Sequence, residues 1–195
     1  MASDHTTPLT RRGLLAAGVG AGATLLLPAT EASAVGLSYS YQTQSTGSWC
    51  SAASSRIALS ARGVKPTQAS LAKSLGLVNG HGLQDATLIA RVLNARLSRT
   101  GSTHRYHFRQ PAAGTLKEQL YRRVRQSIDA GYPVVINMNQ VAGDHFSAGH
   151  YVAIVGYTST KYKIADPYRS SRSGVWYPHA DVVYWNKLNR FTSFV

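Results

Sequence analysis

The chain has a single cysteine, Cys50, and this scarcity excludes more than any abundance in it. One thiol cannot close an intramolecular disulfide, so no disulfide framework supports the fold. Nor can it supply the cysteine pairs of a zinc finger or ribbon. Acidic residues are scarce as well: 8 Asp and Glu stand against 21 Lys and Arg, for a formal net charge of +13. There is no H-E-x-x-H stretch and no aromatic-basic RNA-binding pattern, which removes the usual zinc-peptidase signature and the recognisable nucleic-acid modules. A metal site would have to draw on Asp144, His145 and His150, with Asp166 as a fourth ligand. That set lacks compact spacing and would leave Cys50 and Gln44 idle, so neither a metal nor a cofactor is expected. The sequence also lacks an internal repeat, a low-complexity tract and an apolar run of the roughly 20 residues that span a membrane.

What is present begins with Thr10-Arg11-Arg12-Gly13-Leu14-Leu15, two arginines directly before an apolar run that ends near Leu27. The run is rich in glycine and alanine and has no polar face, as in the weakly hydrophobic core of a twin-arginine export signal. Ala32-Ser33-Ala34 supplies a small-residue cleavage pattern. Residues 1–34 are therefore expected to be a signal peptide and residues 35–195 a single domain, secreted or associated with the cell wall, with no membrane anchor. Removing a 34-residue leader from 195 leaves 161, enough for one core. The leader holds two residues of each sign (Arg11, Arg12, Asp4, Glu31), so the remainder keeps a net +13 from 19 basic and 6 acidic residues. Such a charge favours encounters with polyanions. For an exported protein these are phosphate-bearing or acidic wall polymers, not a specific nucleic acid. A monomer is expected.

Helix signals fill the front of the domain. Residues 50–61 are rich in Ala and Ser and stop at Arg62-Gly63, a helix C-terminal signal. Residues 67–75 and 84–97 read as two more helices, the second with Ala86, Leu88, Ile89, Val92 and Leu93 on one face. A short strand is expected at 104–108. Thr115-Leu116-Lys117-Glu118 then has the form of a capping box, opening an amphipathic helix on Leu116, Leu120, Val124 and Ile128 that ends before Gly131. Strand signals follow at 133–138, 151–157 and 162–165, with a polar loop at 141–149, a turn at 158–161 and a fourth strand at 175–177. Residues 180–189 read as a closing helix. Helices first and antiparallel strands second make an α+β arrangement. His104 and His107 read as surface residues. Trp176, Tyr177, Tyr184 and Trp185 read as packing of the last helix on the sheet.

A thiol nucleophile needs a base, a group that orients the base, and donors for the oxyanion of a tetrahedral intermediate. Cys50 stands where a helix begins, and the helix dipole there favours an anion. His150, in Ser147-Ala148-Gly149-His150-Tyr151, lies at the mouth of a strand with small residues before it. Asp166 follows the next strand and precedes Pro167, so its carboxylate can return beside His150 across a hairpin; the same pair also suits a simple Asp-Pro turn. Gln44, six residues before Cys50 with Gly47 between, can bring its amide back beside the Cys50 N–H; Gln42 competes for that role.

Together, Gln44-x5-Cys50, Gly149-His150-Tyr151-Val152-x-Ile154-Val155-Gly156-Tyr157 and Ile164-Ala165-Asp166-Pro167 resemble the papain-like cysteine peptidases. The branch they are most similar to is that of the bacteriocin double-glycine leader peptidases. The resemblance runs from about Tyr41 to Pro167 and includes Gly131-Tyr132-Pro133-Val134-Val135. It implies a papain-like fold, with the nucleophile at the start of a helix packed on an antiparallel sheet. It further implies a thiol peptidase that cleaves a peptide or isopeptide bond, in a peptide or a peptidoglycan-related substrate, through an acyl-enzyme on Cys50. His150 would be the base, Asp166 its orienting partner and Gln44 the oxyanion donor. One departure bears on substrate class: Ser51-Ala52-Ala53 follows the cysteine where the family usually has Gly and then Pro or Ala. The same thiolate could pass its acyl group to an amine, which would make a transferase or transpeptidase, and a wall-binding module on the same fold is the non-enzymatic alternative.

Overall fold

The computed structural model describes residues 33–77 and 80–194, so the expected export signal lies outside the described residues except for its last two. Short side chains build the first helix, α1 (Cys50–Ser60), which is buried along its whole length. Alanine and serine allow neighbouring backbone to approach that closely. Against it pack α2 (Gln68–Ser74) and α3 (Thr87–Leu97). Thr67 caps α2, its side chain accepting from the Ser70 N–H at 3.1 Å. The carboxylate of Asp85 accepts from the Thr87 N–H at 2.9 Å and from its hydroxyl at 2.6 Å. That bond fixes the start of α3 three residues later than the apolar pattern suggests.

The sheet has seven strands, all pairings antiparallel: β1 (Val35–Gly36), β2 (Tyr106–Arg109), β3 (Val134–Val141), β4 (Asp144–Tyr157), β5 (Lys161–Ala165), β6 (Val175–Pro178) and β7 (Phe191–Phe194). Their order is β2-β7-β3-β4-β5-β6, with β1 paired to β4. Alternation along β3 sends Val135 into the cluster formed with α1–α3. It sends Val134, Ile136 and Met138 into a second cluster with α4 (Leu116–Asp129) and α5 (His179–Trp185). Helices therefore cover both faces of the sheet. On α4 the expected stripe of Leu116, Leu120, Val124 and Ile128 is the buried one, each no more than 2% exposed. Each such side chain is worth about 1.5–3 kcal/mol relative to leaving it in water.

Three local expectations are corrected. The capping box at Thr115 does not form: a 3-10 turn (Ala113–Thr115) precedes α4, and the Thr115 hydroxyl bonds back to Ala112 O at 3.1 Å. The polar loop expected at 141–149 is mostly strand, because β3 and β4 form a hairpin through a two-residue turn at Ala142 (φ 45) and Gly143 (φ 93). Two successive positive φ values match the right-handed twist of paired strands. The closing helix stops at Trp185, and the chain then adds β7 between β2 and β3. Within that segment Trp185 packs edge-on to Tyr177 at 5.2 Å as expected, whereas Tyr184 is exposed beside Lys187.

Candidate active site

Cys50 is the first residue of α1 and 7% exposed. The N-cap residue, Trp49, makes no side-chain capping bond, so nothing from that position covers the N–H groups of the first turn, which have no intrahelical acceptor. One hydrogen bond and one apolar contact set the helix relative to β4. The Ser54 hydroxyl donates to Tyr151 O at 2.7 Å, and Ile57 packs on Ala153 and Val155. The helix carrying the thiol is thereby tied to the residue next to His150.

His150 sits on β4 opposite Met138 and is 2% exposed. Gly149 precedes it with φ +80, and a Cβ there would meet Asn137 Nδ2 at 2.9 Å. A glycine at this position thus serves both the turn of the strand and the close approach of β3. Across the β4–β5 pair, Ala153 faces Ala165 and Ile154 faces Ile164. The same register places Asp166 opposite Val152, two residues from His150. The His150 ring donates from Nε2 to Asp166 Oδ1 at 2.6 Å, both groups buried. The ring's other nitrogen, Nδ1, makes no bond to Asp166, and the Cys50 thiol is close enough to act on the ring's proton affinity.

Electrostatics follows from these contacts. Burial alone would push the imidazole towards neutrality; the Asp166 carboxylate, and after it the Cys50 thiol, reverse the balance and push His150 up to about 9. Burial likewise disfavours the Asp166 anion, but bonds from His150, the Tyr168 N–H and Arg172 hold its carboxyl below the usual range. Phe146 stacks on the His150 ring at 4.2 Å, and Tyr168 meets both rings edge-on. These aromatics cover the buried ion pair where water would weaken it.

Cys50 opens on a cleft of about 430 Å³. Thr46 to Trp49 form one wall, Ala148, Gly149 and Tyr151 another, and Gly80, Gly82 and Leu83 a third. Burial, and next the neighbouring Cys50, push the Tyr151 phenol up to about 12, so it stays protonated. Four of the lining residues are glycines.

The structure brings Cys50, His150 and Asp166 together. Gln44 stands on the turn before Cys50, where its Nε2 donates to Thr46 O at 2.9 Å and Gly47 O at 3.1 Å. Gln42 is exposed, and its Oε1 accepts from Gln68 at 3.2 Å. Of the metal candidates, Asp144 pairs with Arg169 and Arg172, and His145 is exposed. Among the described residues no group of three or more His, Cys, Asp or Glu could hold a metal ion, and no helix is long and apolar enough to cross a membrane. Sequence reasoning missed Gln68, whose buried amide accepts from Ser45 N and donates to Thr43 O, fixing the segment that carries Gln44. It also missed Ser54, Phe146 and Arg172, none of which carries a local signal.

Known proteins share this fold. The model of the Peptidase_C39 like family matches residues 36–192. A Bacillus anthracis protein described as a C39-like peptidase superposes with a TM-score of 0.60 at 17% identity, over 84% of this chain and 98% of its own. The peptidase domain of Streptococcus ComA, a bi-functional ABC transporter of a quorum-sensing pathway, gives 0.54 at 16%, over 81% and 98%. A double glycine motif protease from an AMS/PCAT transporter, solved with its leader peptide, gives 0.55 at 15%, over 82% and 93%. No curated protein sequence matches the chain. With Cys50 on a glycine-rich cleft, His150 bonded to Asp166, and the family model spanning nearly the whole described domain, the chain belongs to the C39-like peptidase family.

Proposed function

We propose that this protein is an exported cysteine peptidase that cleaves a peptide or isopeptide bond through an acyl-enzyme on Cys50, acting as a monomer. The observation that carries the reading is the buried 2.6 Å bond from His150 Nε2 to Asp166, which leaves the other ring nitrogen for the neighbouring thiol. In the first half-reaction His150 takes the proton from Cys50 Sγ, and the sulfur attacks the scissile carbonyl carbon. The imidazolium then protonates the departing amine as the C–N bond breaks. Water, with His150 as base, releases the acyl group and restores the thiol. The Cys50 N–H at the uncapped start of α1 is one oxyanion donor, and Gln44 Nε2, now held by carbonyls of the cleft wall, is the other.

A peptide substrate is supported by the glycine-rich cleft beside Cys50 and by the relative solved with a leader peptide. Peptidoglycan-related stems fit the proposed location and the basic surface. Hydrolysis of a peptide library by the wild type, with none by Cys50→Ala, is the expected test result; equal product from both would refute it. Adding hydroxylamine separates hydrolysis from acyl transfer. Gln44→Ala should lower kcat about a hundredfold with KM little changed, whereas a role limited to the turn would show as lost thermal stability with kcat retained. Arg11→Lys with Arg12→Lys should abolish export; undiminished secretion would end the twin-arginine reading.

A further inference from the structure

The Asp166 carboxylate has two oxygens, and the two face different partners. Oδ1 accepts from His150 Nε2 and from the Tyr168 N–H at 2.9 Å. Oδ2 accepts from Arg172 Nη1 at 3.3 Å. The same Nη1 lies 2.8 Å from Oδ2 of Asp144. Asp144 is the first residue of β4, the strand that also carries His150, and it accepts two further bonds from Arg169, from Nε and Nη2, each at 2.8 Å. The guanidinium of Arg172 is therefore shared between the carboxylate that serves His150 and a second carboxylate at the root of His150's own strand. Its side chain is only 13% exposed, and the backbone holds it in place: Asp166 N–H donates to Arg172 O at 3.0 Å and Arg172 N–H to Arg169 O at 2.9 Å.

We propose that Arg172 is a positioning residue of the site. By occupying Oδ2 of Asp166 while shared with Asp144, it sets how tightly the carboxylate holds the His150 proton, and so how readily the imidazolium gives that proton to a leaving amine. The reason is charge balance in a dry site. A buried carboxylate with no cation on its second oxygen puts its whole charge against the imidazolium, which then releases a proton reluctantly. One shared guanidinium offsets part of that charge, and Asp144 keeps the offset from becoming complete. Cys50 from α1, Tyr41 from the segment before it, Tyr168 and Arg169 from the segment after β5, and Tyr177 from β6 also face the pair. Among the described residues Arg172 is the one cation besides His150 itself that is bonded to the Asp166 side chain.

The proposal rests on His150 as the proton carrier of the proposed peptidase, and the two are separable by experiment. The titration midpoint of the His150 ring is read by NMR in the full chain, with the resonance assigned by its loss in His150→Gln. Arg172→Gln should move the midpoint up by roughly one pH unit, and Asp144→Asn should move it down, since that change frees more of the guanidinium for Asp166. Arg172→Lys, which keeps the charge, should return it towards the wild type. A residue that merely stiffened the segment would act otherwise: either substitution would loosen Asp166 from His150, and both midpoints would fall. Shifts of one sign, or none, overturn the proposal. Iodoacetamide alkylation of Cys50 in the same proteins reports separately on the peptidase reading, which fails if His150→Gln leaves the rate unchanged.

Discussion

The two halves of the site are held by different forces. On the side of the nucleophile, α1 is uncharged for six residues after Trp49, fully buried, and fixed by close packing and one serine hydroxyl. On the side of the base, His150, Asp166, Arg172, Asp144 and Arg169 form a chain of alternating charges that runs from a buried core out to a half-exposed arginine. The thiol needs a fixed position at a helix start, and packing provides it without regard to pH. The imidazole needs a set proton affinity, and only charges provide that. Substitutions on the first side should therefore act through stability, and those on the second through pH dependence.

The largest expected effect breaks both halves at their junction. Cys50→Ala or His150→Ala should reduce peptide turnover by more than about a thousandfold while leaving the melting temperature of Cys50→Ala near that of the wild type. Loss of folding in Cys50→Ala would make the thiol a packing residue.

Next comes a pH effect confined to the charged half. The imidazole value is raised from an ordinary 6.5 to about 9. A raised value means that the folded state binds the proton more tightly, so the stabilisation is fully present below pH 6.5 and is lost as pH climbs through about 9. Over that window the coupled pair should lose about 3 kcal/mol, seen as a fall in melting temperature that His150→Gln lacks. Parallel profiles for the two proteins would show that the ion pair does not contribute to folding.

The packed half should show the converse behaviour. Ala53 on α1 is 0% exposed, and Ala53→Leu should cost about 1–3 kcal/mol by overpacking, equally at pH 6 and pH 9. Ser54→Ala, which removes the bond to Tyr151 O, should cost about 1 kcal/mol and show the same indifference to pH. A cost for either that changed with pH would blur the division between the two halves.

The division also explains what could be read from the sequence. The packed half was legible because its signals are local: small residues at helical spacing place α1, just as an apolar residue every four places α4 on the other face of the sheet. The charged half was legible only at its buried end. His150 and Asp166 were legible beside apolar strand patterns, although His150 lies inside β4 and not at the strand mouth the sequence suggested; Arg172 and Asp144 meet across 28 residues and through a hairpin that looked like a loop, since 144–149 has polar and small residues in place of alternating apolar ones. Strand β7 escaped for a related reason. Phe-Thr-Ser-Phe is too short to announce itself, and its neighbours β2 and β3 are far away in sequence. Gln44 was legible as a residue near the thiol, while the carbonyls that hold its amide were not, because the turn geometry decides them.

The central claim is that Cys50 and His150 act as one unit. The most direct measurement is the rate of Cys50 alkylation by iodoacetamide at pH 6, well below the roughly 8.5 at which a free thiol ionises. The wild type should react readily there and His150→Ala at least about tenfold more slowly; equal rates for the two proteins would contradict the account.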